Sequence, residues 1–211
     1  MEHRVRTIAA GFAFPEGPRW HRGSLWFADH HDGVVRRIAP DGALLEQFAV
    51  PGKPSGLGWL PGGDMLIVSM HERRLYRRHG TALHVHAELS SVHPHQSNDM
   101  LVDGAGNAYV GNVGFDFFAG EPVRATTIAR VDVLGRVEAV ADGLMCPNGM
   151  VIAPDGGTLI VAETLAERLT AYAIDAEGHL RDRRVFADLR GIGAPDGICL
   201  DAGGGVWAAL P

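Results

Sequence analysis

One segment of the chain reads Pro147-Asn148-Gly149-Met150-Val151-Ile152-Ala153-Pro154-Asp155-Gly156-Gly157-Thr158-Leu159-Ile160-Val161. It joins a Pro-x-Gly signature to a turn rich in Gly and Asp, and then to a short apolar run that is typical of a β-strand. Related copies occur along the whole chain. The central residues of the five signatures are Glu16, Ser55, Asn98, Asn148 and Asp196, at spacings of 39, 43, 50 and 48 residues.

Each signature is followed by a series of strand patterns. The first apolar run begins about ten residues after it, at 25–28, 66–68, 108–110, 159–161 and 206–208. Two further runs follow in most copies, for example 34–38 and 44–48 in the first. Four short strands per ~40–50 residues, separated by turns, indicate the blade of a β-propeller. A β-sandwich of irregular hairpins is the alternative, and the regular repeat argues against it.

The number of repeats predicts an incomplete ring. The 211 residues contain four full repeats and the first half of a fifth, about four and a half blades. Residues 5–9 are expected to form a lone N-terminal strand, of the kind that commonly completes the last blade of a propeller. We therefore predict that residues 1–211 form one all-β domain, a six-bladed β-propeller lacking roughly one and a half blades at its C-terminal end.

The composition excludes several other classes of protein. Hydrophobic residues make up 46% and charged residues 21%, which is globular and not disordered composition. No apolar run reaches the ~18 residues of a membrane helix, and no secretory signal is visible. The net charge of −6 argues against a nucleic-acid partner. Two cysteines are too few for a disulfide framework, which favours a cytoplasmic location.

The signature residues are predicted to meet at the propeller axis. The innermost strand of each blade lines the central channel, so Glu16, Asn98, Asn148 and Asp196 should face one another there. Carboxylate and carboxamide oxygens are hard ligands, which suit Ca²⁺ first, with Mg²⁺ or Mn²⁺ as alternatives. Zn²⁺ is a weaker alternative because it prefers nitrogen or sulfur. The competing interpretation is that Pro-x-Gly is only a turn, with its central side chain in solvent.

Four segments resemble blades of the SMP-30/gluconolactonase/luciferin-regenerating-enzyme family: 14–20, which reads Phe-Pro-Glu-Gly-Pro-Arg-Trp, and then 97–103, 147–150 and 195–201. The resemblance implies a six-bladed propeller that holds one divalent cation and hydrolyses sugar lactones or related esters. It implies that Glu16, Asn148 and Asp196 bind the metal and that Asp196 is also the general base or acid. Asn98 would contact substrate near the metal. Gln96, a second substrate contact, stands where some sugar lactonases carry Arg.

The expected function is therefore metal-dependent hydrolysis of a small-molecule lactone. A non-catalytic metal-binding or protein-interaction propeller is the first alternative, and a metal-independent propeller enzyme is the second. His93 and His95, just upstream of Asn98, are either substrate contacts or structural residues. Residues 115–118 form either a buried plug or a lid over the channel. Cys146 and Cys199 are predicted to be small buried residues, with a disulfide between them as an alternative.

Overall fold

The computed structural model describes residues 6–211, and it shows antiparallel sheets that follow one another along the chain. The first sheet contains β1 (Pro15–His21), β2 (Ser24–Asp29), β3 (Val34–Ile38) and β4 (Leu44–Ala49). The second contains β5 (Pro54–Trp59), β6 (Met65–Ser69), β7 (Arg74–His79) and β8 (Ala82–Glu88). The third contains β9 (Ser97–Val102), β10 (Ala108–Asn112), β11 (Thr126–Val131) and β12 (Val137–Leu144). In each sheet the strands pair in chain order, as in a propeller blade.

The fourth and fifth sheets continue the series. The fourth contains β13 (Pro147–Ile152), β14 (Thr158–Glu163), β15 (Arg168–Ile174) and β16 (Leu180–Asp188). The fifth has two strands, β17 (Ile198–Leu200) and β18 (Val206–Ala208). A single 3₁₀ turn, Thr164–Ala166, is the one helical element within residues 6–211. No helix in this part of the chain has the length and apolar character required to cross a membrane.

The fold is the predicted incomplete β-propeller. It has four complete blades and a partial fifth, and the strands lie at the positions that the repeat indicates. The predicted N-terminal strand differs: Arg6 to Ala9 form no strand in the structure, and Val5 lies outside the described residues. Backbone hydrogen bonding to a neighbouring strand is what makes an extended segment a strand, and this segment has no such partner among residues 6–211.

The hydrophobic core consists of four layers, each packed between consecutive blades. Leu57 and Ile67 of the second blade pack with Trp26 and Val35 of the first. The remaining layers lie between blades two and three, three and four, and four and the partial fifth. The two innermost strands of the second blade, β5 and β6, lie between two of these layers, which explains why 54–58 and 65–69 are buried without an inside/outside alternation.

Neighbouring inner strands approach so closely that a side chain between them would clash. A Cβ atom on Gly149 would lie 2.6 Å from both the carbonyl oxygen of Asp196 and the amide nitrogen of Ile198. A Cβ atom on Gly56 would lie 2.5 Å from the amide nitrogen of Met100. At Gly56 and Gly149 the glycine of the Pro-x-Gly signature is thus required by the contact with the next blade.

Aspartates stabilise the hairpin turns on the outside of the blades. In the turn from β15 to β16, the Asp175 carboxylate accepts hydrogen bonds from the backbone N–H groups of Glu177 and His179 and from Arg181. Ligand atoms of Asp175, Glu177 and His179 also lie within 4.8 Å of one another. This turn geometry accounts for their proximity, because the same Asp-to-backbone pattern recurs at Asp103 and Asp201.

Candidate active site

The signature residues lie on or beside the innermost strand of each blade. Glu16 is on β1, Ser55 on β5, Asn98 on β9 and Asn148 on β13, while Asp196 lies two residues before β17. The inner strands of consecutive blades are also linked directly. The Ser55 hydroxyl donates a 2.7 Å hydrogen bond to the carbonyl oxygen of Asn98. The backbone N–H of Gly149 donates to the carbonyl oxygen of Asp196 at 3.1 Å. These links fix the relative positions of the signature residues.

Two cavities open at the signature residues. We call the larger one the axial cavity; it measures about 540 Å³, and its polar lining comprises Glu16, Arg19, Asp99, Asn148 and Asp196. Its remaining wall includes residues of β17 and β18, among them Cys199 and Trp207. Residues more than a hundred positions apart in the sequence thus border one space. The structure brings Glu16, Asn148 and Asp196 together there.

The second cavity, which we call the mouth pocket, measures about 280 Å³. Its lining comprises Phe14, Glu16, His30, His31, Lys53, Ser55, Met70, His71, Gln96, Asn98 and Phe118. Asn98 and Gln96 border this pocket and are not part of the axial cavity. Glu16 and Phe14 border both cavities, so the two spaces meet at β1. The signature residues are therefore divided between two adjoining cavities that share the Glu16 carboxylate.

Asp99 is the site residue that the sequence analysis missed. Arg19 Nη2 donates hydrogen bonds of 2.8 and 3.0 Å to the two carboxylate oxygens of Asp99 and one of 2.8 Å to the carbonyl oxygen of Met100. The side chain of Asp99 is 10% exposed and that of Arg19 is 23% exposed. A signal was present in the sequence: Asp99 occupies the position that holds glycine in the other four signatures.

Electrostatic repulsion in the axial cavity acts on Glu16 and Asp196. Burial raises the pKa of the Glu16 carboxyl to about 7, and the negative charges of Asp196 and Asp99 reinforce the effect. Burial also raises the pKa of Asp196, with a further contribution from Asp99, against a hydrogen bond from Asn148 that lowers it. Three carboxylates and the Arg19 guanidinium give the fully ionised cavity a formal charge of −2. This negative charge favours either protonation of a carboxylate or the binding of a cation.

The orientation of Asn148 leaves its carboxamide oxygen available. Its Nδ2 atom donates to Thr164 Oγ1 at 3.2 Å, and its side chain also donates to Asp196. Thr164 in turn donates to the carbonyl oxygen of Pro195 at 2.8 Å, which ties this group to the segment carrying Asp196. Within residues 6–211, the described contacts of Asn148 use only its amide nitrogen. Glu16, Asp196 and the Asn148 oxygen thus form a hard oxygen donor set that fits a divalent cation.

The three carboxylates are held apart in the structure. Among residues 6–211, Glu16, Asp99 and Asp196 do not have oxygens that all lie within 4.8 Å of one another. Asp99 is directed to Arg19, which leaves Glu16 and Asp196 as the two carboxylates of the cavity that form no ion pair among residues 6–211. Glu16, Asn148 and Asp196 thus each offer an oxygen ligand in the axial cavity, from the first, fourth and fifth blades.

His93 and His95 differ in their environment. His93 is fully buried, and its Nδ1 atom is 2.8 Å from the hydroxyl oxygen of Ser97, so it supports β9 and does not line the mouth pocket. His95 does not line the mouth pocket either; it borders a separate cavity with His71 and Gln96, and its Nε2 atom is 3.5 Å from a carboxylate oxygen of Asp116. Of the two interpretations, the structure favours a structural role for His93.

Acidification should destabilise the protein through His93. Burial lowers the pKa of this imidazole to about 4, so between about pH 6.5 and 4 the unfolded chain binds a proton that the folded chain does not. Stability then falls as the pH falls, by at most about 2 kcal/mol between pH 7 and pH 5. Urea unfolding at both pH values should show a smaller loss for His93→Gln than for the wild type. Equal losses in the two proteins would contradict this role.

The segment 115–118 has one buried end and one exposed end. Phe115 is buried and anchors the β10–β11 loop, whereas Phe117 and Phe118 are exposed and Phe118 borders the mouth pocket.

The two cysteines differ in their exposure. Cys146 is buried, and burial raises the pKa of its thiol to about 11. Cys199 is exposed in the wall of the axial cavity, so the prediction that it is buried is wrong. Both cysteines are free thiols.

The fold and the site together define the class of this protein. It is an incomplete propeller in which carboxylates and a carboxamide from separate blades line one cavity. The chain belongs to the SMP-30/gluconolactonase/LRE-like family, whose model matches residues 14–211. A pentonolactonase from Haloferax volcanii is 27% identical over 209 residues, covering 97% of this chain and 69% of that protein. A gluconolactonase from Zymomonas mobilis is 22% identical over 240 residues, covering 98% of this chain and 67% of that protein.

A solved structure supports the same relationship. The crystal structure of regucalcin, a calcium-binding protein from Agrobacterium tumefaciens, superposes with a TM-score of 0.80 at 27% identity. The match covers 95% of this chain and 68% of that chain. The present chain therefore spans about two thirds of the length of the relatives that it matches.

Proposed function

We propose that this protein is a divalent-cation-dependent hydrolase of lactones. The observation that carries the proposal is the presence of Glu16, Asn148 and Asp196, from three separate blades, in one cavity where the pKa of Glu16 is raised to about 7. The names of the pentonolactonase and gluconolactonase relatives support the same reaction class. The likeness to regucalcin supports Ca²⁺ as the cation, with Mg²⁺, Mn²⁺ or Zn²⁺ as alternatives.

Glu16, Asn148 and Asp196 would hold the cation through oxygen atoms. When bound, a divalent cation in such a site polarises the lactone carbonyl and stabilises the oxyanion that forms on it. Arg19 holds the third carboxylate, Asp99, and so reduces the negative charge that an incoming carbonyl oxygen would meet. We propose that Asn98 and Gln96, which border the mouth pocket, contact the substrate.

Asp196 is proposed to act as the general base as well as a ligand. A carboxylate that ligates through one oxygen retains the other for proton transfer. Asp196 removes a proton from the attacking water as the new C–O bond forms. The proton then passes to the ring oxygen as the acyl C–O bond breaks, which yields one hydroxy acid per lactone and water consumed.

A lactone panel assayed with and without EDTA tests the proposal. We expect hydrolysis of at least one lactone, loss of the rate after EDTA, and recovery on addition of Ca²⁺ or another divalent cation. Hydrolysis that is insensitive to EDTA would contradict the cation dependence. Cation binding by calorimetry without turnover of any lactone would instead favour a non-catalytic cation-binding propeller, for which the regucalcin likeness is the supporting observation.

A further inference from the structure

Five of the eleven residues that line the mouth pocket carry aromatic or imidazole rings: Phe14, His30, His31, His71 and Phe118. Phe14 stacks on His31 with ring centroids 4.8 Å apart, and His30 lies 5.4 Å from His31 and 5.9 Å from His71. Burial lowers the pKa of His30 and His71, so these rings are neutral near pH 7. A neutral imidazole beside an aromatic ring presents a flat surface suited to another flat or apolar group.

The polar groups of the pocket are partly used by the protein itself. The Lys53 ammonium donates a 2.7 Å hydrogen bond to the carbonyl oxygen of His31, and His30 Nδ1 donates to the carbonyl oxygen of Pro54 at 3.1 Å. The Ser55 hydroxyl is engaged with Asn98, as described above. Several hydroxyl groups on a ligand would each require a hydrogen-bond partner, and the hydrogen bonds that these three groups already make leave fewer partners for such hydroxyl groups in this pocket.

The β10–β11 loop adds exposed aromatic rings at the rim of the pocket. Phe118 is 80% exposed, although hydrogen bonds within the loop hold its shape, including Ala119 N–H to the Asp116 carboxylate at 3.0 Å. Phe115 anchors the same loop in the core. A structured loop that keeps a phenyl ring in water beside a pocket gains stability when an apolar ligand covers that ring.

We infer that the mouth pocket binds an apolar or aromatic substituent on the lactone ring, so the preferred substrate is an aryl- or alkyl-substituted lactone and not a polyhydroxylated one. The inference rests on the proposed lactonase function. Glu16 borders both cavities, so a lactone carbonyl in the axial cavity places the remainder of the ring toward the mouth pocket. Phe118 is then a specificity-determining residue.

Matched substrates separate this inference from the proposed function. The experiment compares kcat/KM for three substrates: δ-valerolactone, its δ-phenyl derivative and glucono-δ-lactone. Each is assayed with the wild type, Phe118→Ala and Leu134→Ala. Leu134 is 75% exposed on the distant β11–β12 turn and serves as the control. We expect the wild type to prefer the phenyl derivative by about tenfold over the other two. Phe118→Ala should reduce that preference about fivefold through KM, and Leu134→Ala should leave it unchanged.

A non-hydrolysable analogue gives a readout that does not depend on turnover. The δ-phenyl lactam is titrated by calorimetry into the same three proteins, with weaker binding expected only for Phe118→Ala. A preference for glucono-δ-lactone, or an equal phenyl preference in the wild type and Phe118→Ala, would overturn the inference while leaving lactonase activity intact. Phe118-dependent lactam binding without hydrolysis of any lactone would support the pocket and contradict the proposed function.

Discussion

Glu16→Gln should abolish cation-dependent lactone hydrolysis, with a fall in kcat/KM of roughly 10³-fold or more. The substitution keeps the shape of the side chain and removes one negative charge from the cavity. Glu16 and Asp196 are the carboxylates there that form no ion pair among residues 6–211. Cation affinity should fall for the same reason. Steady-state kinetics and calorimetric titration with Ca²⁺ measure the two effects, and wild-type turnover in this variant would contradict the assignment.

Thermal unfolding distinguishes a ligand from a merely structural carboxylate at position 16. A buried carboxylate repelled by neighbouring charges destabilises the fold without a cation, so Glu16→Gln should unfold no earlier than the wild type in EDTA. Added Ca²⁺ should raise the unfolding temperature of the wild type but not of the variant. Glu88→Gln, on the outer strand β8 and paired with Arg74, is the control and should behave like the wild type.

Asp196→Asn should also abolish hydrolysis, yet for a partly different reason. It removes both a cation ligand and the group proposed to take the proton from water. If Asp196 acts as base, saturating Ca²⁺ will restore cation binding to this variant without restoring kcat. Recovery of kcat at high Ca²⁺ would show that Asp196 serves only as a ligand.

The blades were predictable from the sequence because their determinants are local. Short apolar runs, Gly and Asp at the turns and a regular spacing specify each strand and hairpin, as in the second and third strands of the first repeat, 24–29 and 34–38. The convergence of Glu16, Asn148 and Asp196 also followed from the repeat, since equivalent positions in a propeller meet at the axis. The fold and three of the five polar residues named in the lining of the axial cavity were thus accessible without coordinates.

Contacts across the axis were not predictable in the same way. The pairing of Arg19 with Asp99 joins the first and third blades and depends on side-chain reach and on the angle between sheets, which no local pattern encodes. The division of the signature residues between two cavities also depends on the direction of each side chain. Asn98 and Asp99 are adjacent, and successive side chains of a strand point in opposite directions, so Asn98 lines the mouth pocket while Asp99 lines the axial cavity.

Gly149→Ala should destabilise the fold at the upper end of the ~1–3 kcal/mol that is typical of overpacking. The new Cβ atom would lie 2.6 Å from backbone atoms of Asp196 and Ile198, and backbone cannot rotate away as a side chain can. The backbone hydrogen bond from Gly149 to the carbonyl oxygen of Asp196 would lengthen as the strands separate. Urea unfolding measures the loss, and a lower Ca²⁺ affinity should accompany it because Asp196 moves away from Asn148.

Gly197→Ala provides the matched control, since it alters the glycine of the same signature in the next repeat. A Cβ atom at Gly197 meets no atom within 4 Å, and the backbone there does not have a positive φ. This variant should unfold within about 0.5 kcal/mol of the wild type. Equal destabilisation by the two substitutions would mean that the conformation of the local turn is what requires glycine. A large difference would mean that close packing of adjacent inner strands is what requires glycine at this position, and that the same packing holds the neighbouring signature residue at the axis.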